Sequence, residues 1–150
     1  MTRTKAGLAP VRELMSEPQL VAHPDTTLAE IYRGLETHGA EACPVVLPDR
    51  TLVGIVTRLD LLRALRPDRD LGVLDVATFG AQRARDIMRC GVVTVEPHDP
   101  IVAAADLMIE TRLHVLPVVH RGPGQPKLLG VITQRDVLRY LAGAPAESAE

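Results

Sequence analysis

Leu52-Val-Gly-Ile-Val-Thr-Arg-Leu-Asp-Leu-Leu-Arg-Ala-Leu65 and Leu128-Leu-Gly-Val-Ile-Thr-Gln-Arg-Asp-Val-Leu-Arg-Tyr-Leu141 are two versions of one pattern. Leu52, Gly54, Thr57, Asp60, Leu62, Arg63 and Leu65 are identical to their partners 76 residues on. Upstream of each stretch the match continues at a spacing of 73: Pro44-Val45-Val46 meets Pro117-Val118-Val119, Leu35 meets Met108, and Leu28 meets Ile101. Pro24 likewise meets Pro97, and VRELM (11–15) meets ARDIM (84–88). The spacing grows because the second copy carries a longer turn-rich loop, HRGPGQPK (120–127). The chain is an internal duplication. One copy of about 55–58 residues is too short to bury an apolar face well by itself, so the two are expected to share a core across a pseudo-two-fold axis.

Each copy reads as β-α-β-β-α, an α+β arrangement. VVTV (92–95) is a short β-branched strand, and LVA (20–22) is its weaker counterpart. Thr27-Leu-Ala-Glu30 carries a capping-box signature before a helix with Leu28, Ile31 and Leu35 on one face. In the second copy Asp99 stands as an N-cap before Pro100 at the first helical position. PVVL and PVVH then supply buried strands, LVGIV and LLGVI their partners, and a closing helix follows. Leu61, Leu62 and Leu65 form the apolar face of that helix in one copy, and Val137, Leu138 and Leu141 in the other. The first domain is expected over 8–65, a linker over 66–83, the second domain over 84–143 and a disordered tail over 144–150. Arg66-Pro67-Asp68 marks a helix stop, and Leu71, Val73, Leu74, Val76 and Phe79 would cover an edge of the pair.

Composition narrows the function. Seventeen Lys and Arg against 19 Asp and Glu leave a net charge of −2, which argues against a protein that tracks nucleic-acid phosphates. Aromatic residues are 2% of the chain, so the core is aliphatic and base-stacking platforms are scarce. Cys43 and Cys90 form no CxxC pair, which excludes a zinc knuckle and a disulfide framework; no metal ligation is expected. The N-terminal MTRTKAGLAP lacks an apolar signal region, and no apolar run approaches a membrane span, so a cytoplasmic location is expected. Catalysis has little support: G-x-S-x-G, P-loop and HExxH patterns are missing, and the five His show no i,i+4 pairing.

The duplicated set resembles a tandem pair of cystathionine-β-synthase-type (CBS) domains, a Bateman module. The opening Arg-Glu-Leu-Met and Arg-Asp-Ile-Met, the Pro-Val-Val strands, and Gly54-Ile-Val-Thr57-Arg-Leu-Asp60 with Gly130-Val-Ile-Thr133-Gln-Arg-Asp136 carry the resemblance over nearly the whole chain. It implies a regulatory, non-catalytic fold that binds AMP, ADP, ATP or S-adenosylmethionine in the cleft between the domains. It further implies a homodimer and a regulated partner protein not identified by the sequence.

The resemblance places the chemistry at Thr-x-x-Asp. A helix N-terminus favours phosphate, and a carboxylate three residues on offers acceptors to the two hydroxyls of a ribose. Thr57 with Asp60, and Thr133 with Asp136, are the candidate pairs. The same spacing also fits a capping box, with Thr as N-cap and the acid reaching back. Val21, Ala22, Thr94 and Val95 lie where family members hold adenine. His114 matches a phosphate-contacting position, but its counterpart is Glu41, and the basic residue often found next is replaced by Ala42 and Val115. Arg58 and Arg135 lie inside the Thr-x-x-Asp segments and are further phosphate candidates. Gly54 and Gly130 admit either a ligand or a close backbone in mid-strand. The second copy is expected to hold the better pocket. The alternative is a ligand-free dimeric interaction scaffold whose Thr-x-x-Asp segments only cap helices.

Overall fold

The computed structural model describes residues 8–65, 72 and 76–143, without the side chains of 76–78. Most of the expected linker, with Leu71, Val73 and Leu74, and the tail 144–150 lie outside the described residues. The chain divides into two compact units: Pro18–Val92 is one, and Met1–Glu17 joins Val93–Glu150 in the other. No helix among the described residues is long and apolar enough to cross a membrane.

The Pro18–Val92 unit holds α1 (Leu28–His38), β1 (Ala42–Val46), β2 (Leu52–Thr57), α2 (Arg58–Ala64), α3 (Val76–Ala81) and α4 (Ala84–Ile87). The other holds a 3₁₀ turn (Val11–Glu13), α5 (Ile101–Thr111), β3 (Val115–His120), β4 (Lys127–Thr133) and α6 (Gln134–Gly143). Antiparallel β1–β2 and β3–β4 share one register, down to an irregularity at Val45/Val46 and at Val118/Val119. Thr57 faces Ala42, and Thr133 faces Val115, so each Thr-x-x-Asp starts where its strand ends and its helix begins.

The expected first strands shrink to single parallel bridges, Ala22 beside Val45 and Val95 beside Val118. Ala22 N donates to Pro44 O (2.9 Å) and its O accepts from Val46 N (2.8 Å). Val95 makes the same pair of bonds with Pro117 and Val119. Prolines at 24 and 97 soon remove a backbone donor, and the chain turns away after one rung. Asp99 is not the N-cap of α5; Pro100 holds that position, and the Asp99 carboxylate accepts from Glu96 N instead.

The copies exchange their opening segments. Ile101, first in α5, donates its N–H to Ala9 O (2.8 Å), and Leu28, first in α1, donates to Gln82 O (3.1 Å). Val11 N meets Asp99 O and Ala84 N meets Thr26 O, both at 2.8 Å. Further on, Ser16 becomes an antiparallel rung beside Val131, and Arg89 one beside Ile55. These bonds satisfy donors that a helix start leaves open. Val11 is consequently buried with Val95, Ile101, Met108, Leu116, Ile132 and Val137, while Ala84 is buried with Leu28, Ile31, Leu35, Val45, Val56 and Leu61. Phe79 packs against the Leu28 cluster. Each unit is therefore completed by a segment that the sequence repeat assigns to the other copy.

The closing helices bury Leu61 and Val137 but leave Leu62 58% and Leu138 65% exposed within the chain, so their expected apolar faces are only partly used.

Candidate ligand site

Each Thr-x-x-Asp closes on itself. At the start of α2, Thr57 Oγ1 accepts from Asp60 N (3.2 Å) while Thr57 N donates to Asp60 Oδ2 (2.9 Å), and the Thr hydroxyl donates to the same oxygen (3.0 Å). At the start of α6, Asp136 N donates to Thr133 Oγ1 and Thr133 N to Asp136 Oδ2, both at 3.0 Å. Asp does what Glu more often does in a capping box, because the helix turn brings its shorter side chain within reach.

A carboxylate has a second oxygen, and there the two units differ. Asp60 is 7% exposed, and its Oδ1 accepts from Arg89 Nε at 2.9 Å. Asp136 is half-buried, and among the described residues its Oδ1 accepts nothing. Ser16 stands at the repeat position of Arg89 and makes no side-chain bond there among the described residues. Motif reading does not single out Arg89, the partner of Asp60; its sequence signal is the mismatch with Ser16 between otherwise parallel copies.

The mid-strand glycines answer to the exchanged segments. A Cβ on Gly130 would stand 2.7 Å from the backbone oxygen of Ser16, and one on Gly54 would stand 2.6 Å from Met88 Sδ. Close packing against backbone is therefore sufficient to require glycine at Gly130, while at Gly54 a Cβ would require the Met88 side chain to move.

Parallel pairing beside β3 brings the chain before Val95 toward the strand end that carries His114, the end at which β4 delivers Thr133. Val95 and Ala22 are buried, whereas Thr94 and Val21 are more open. Thr94 Oγ1 accepts from Arg121 Nη2 at 2.5 Å. Arg121 lies in the loop that is longer in the second copy, where comparison of the repeats loses its register. His114 is exposed, its carbonyl accepting from Gln134 N (3.0 Å), and Arg135 is exposed with a guanidinium free among the described residues.

Arg58 is committed elsewhere. Its Nε donates to Ala40 O (3.1 Å), Nη2 to Leu35 O (3.3 Å) and Nη1 to Glu36 Oε1 (2.7 Å), so it closes the C-terminal end of α1. The hydrogen bond to Glu36 raises the pKa of the guanidinium further. Gln134, its repeat partner, does the same for α5 through Leu113 O (3.0 Å).

The CBS domain model matches residues 11–67 and again 84–143. The chain belongs to the CBS domain family. As a CBS-domain pair it is 32% identical over 135 residues to a CBS domain-containing protein of Dictyostelium discoideum, covering 87% of this chain and 90% of that one. An uncharacterized protein of Methanocaldococcus jannaschii is 29% identical over 88% of the chain, which spans only 47% of that relative. Its crystal structure superimposes with a TM-score of 0.78 over 90% of this chain and 48% of that one. The structure of CBSX2 in complex with AMP gives a TM-score of 0.74 at 26% identity, covering 89% of this chain and 96% of that chain. Four relatives that are enzymes are matched over 21–24% of their length.

Proposed function

We propose that this CBS-domain pair is a regulatory module, not a catalyst, that binds an adenosyl ligand at the Thr133–Asp136 end of the Val93–Glu150 unit. One observation carries the reading: Asp136 uses Oδ2 to start its helix and, among the described residues, keeps Oδ1 open as an acceptor. Capping and ribose recognition thus coexist on one carboxylate. A ribose diol donating to a carboxylate makes charge-assisted bonds, worth about 1.5–3 kcal/mol each when shielded from water. Thr94 and Val95 supply the neighbouring edge for the base, and His114 and Arg135 stand at the phosphate side. The AMP in the CBSX2 complex supports the ligand class. Titration with AMP, ADP, ATP and S-adenosylmethionine tests it. At a hundredfold excess over Kd, one site raises stability by about 2.7 kcal/mol. Asp136→Ala is expected to abolish that gain; no shift with any of the four ligands at millimolar concentration would refute the site.

A ligand-free scaffold is the second reading, favoured by the complete capping box at Thr57–Asp60. It expects Thr57→Ala and Thr133→Ala to lower stability by about 0.5–2 kcal/mol, with no effect of nucleotide. Either reading suits a homodimer that presents Leu138 and Leu62 to a second copy, which sedimentation at varied concentration tests.

A further inference from the structure

We infer that Arg89 holds Asp60 out of ligand binding, and that the residue at this one repeat position, Arg89 or Ser16, decides which carboxylate takes a ribose. The inference rests on the adenosyl reading above and assigns the ligand to one copy only. Ser16 and Arg89 occupy the same rung, Ser16 beside Val131 and Arg89 beside Ile55, and these two partners are themselves equivalent in the repeat. Each rung runs next to the strand that ends in Thr-x-x-Asp. From it Arg89 reaches Asp60 Oδ1 at 2.9 Å, the oxygen equivalent to the one that stays open on Asp136. Asp60 Oδ2 is already shared by Thr57 N and Thr57 Oγ1. Both oxygens of Asp60 therefore have donors, and a diol would have to displace a charge-assisted bond to a carboxylate that is 7% exposed. The serine hydroxyl at the other rung is too short to make that bond and leaves Asp136 available.

Calorimetric titration with AMP and with S-adenosylmethionine tests this on the full chain. Wild type is expected to take one equivalent per chain. Arg89→Ser frees Asp60, and a second equivalent appears. Ser16→Arg places the guanidinium over Asp136 and weakens binding by at least about tenfold. The two exchanges act on different units, so either one is decisive if the other does not fold. Two equivalents on wild type, one equivalent on a folded Arg89→Ser protein, or wild-type affinity in Ser16→Arg would overturn the inference while leaving the adenosyl reading intact. No binding of either probe to wild type would overturn both.

Discussion

Gly130 lies directly against the backbone of Ser16: a Cβ at that position would sit 2.7 Å from the Ser16 carbonyl oxygen. That oxygen is fixed, because it accepts from Val131 N at 2.9 Å while Ser16 N donates to Val131 O at 3.0 Å. At the equivalent Gly54 the obstacle is the thioether of Met88, a flexible side chain that can turn aside. Gly130→Ala is therefore expected to cost about 1–3 kcal/mol and Gly54→Ala distinctly less. Urea denaturation of the two variants checks the order; equal losses would contradict it.

Exchange of the opening segments makes a second prediction. Val11 is fully buried among Val95, Ile101, Leu116 and Ile132 rather than among residues of its own repeat. Val11→Ala is expected to cost about 1–3 kcal/mol through lost burial and a residual cavity. Hydrogen exchange should accelerate at Val118 and Ile132 before it does at Val45 and Val56.

The ends of α1 and α5 differ at the C-cap. Gly39 ends α1 at φ 60, where glycine is unstrained, and Arg112 ends α5 at φ 61, where a side chain crowds the backbone. Arg112→Gly is expected to stabilise the protein by roughly 0.5–1 kcal/mol, read as a higher Tm. A lower Tm would show that the arginine side chain has a role that offsets the strain.

Arg58 separates the two expectations that Thr-x-x-Asp raised. Its donors hold Leu35 O, Ala40 O and Glu36, so Arg58→Ala is expected to weaken the end of α1 by about 0.5–1.5 kcal/mol. Affinity for AMP should not change. A loss of affinity without a loss of stability would return Arg58 to the ligand site.

Cys43 is buried, and burial pushes its thiol from 9.0 up to about 12. Unfolding releases this proton above pH 9, whereas the native protein holds it until about pH 12, so the unfolded state gains between those values. Stability is expected to fall with rising pH across that window, at up to about 1.4 kcal/mol per unit, and less steeply in Cys43→Ala. At pH 8 iodoacetamide should label exposed Cys90 and leave Cys43 intact until urea is added.

Much of this architecture is readable without coordinates. The 73–76 spacing, the Thr27 and Thr57 caps and the paired strands are local signals, and each appears where the residues place it. Local signals fall short where a neighbour competes with them. VVTV has strand composition yet makes one bridge before Pro97, and Asp99 has cap chemistry yet bonds back to Glu96 while Pro100 takes the cap. Leu62 and Leu138 keep helical spacing but stay exposed, because periodicity marks a face without saying what covers it.

The sequence alone determined the duplication, the order of elements and the Thr-x-x-Asp pairs, since backbone periodicity and helix capping act over a few residues. Only the tertiary structure decided that residues 8–17 complete the unit of the second copy, and that Arg89 closes on Asp60 while Asp136 has no such partner among the described residues. A hydrogen bond between side chains 29 positions apart depends on which strand edge the chain returns to, and no local pattern records that.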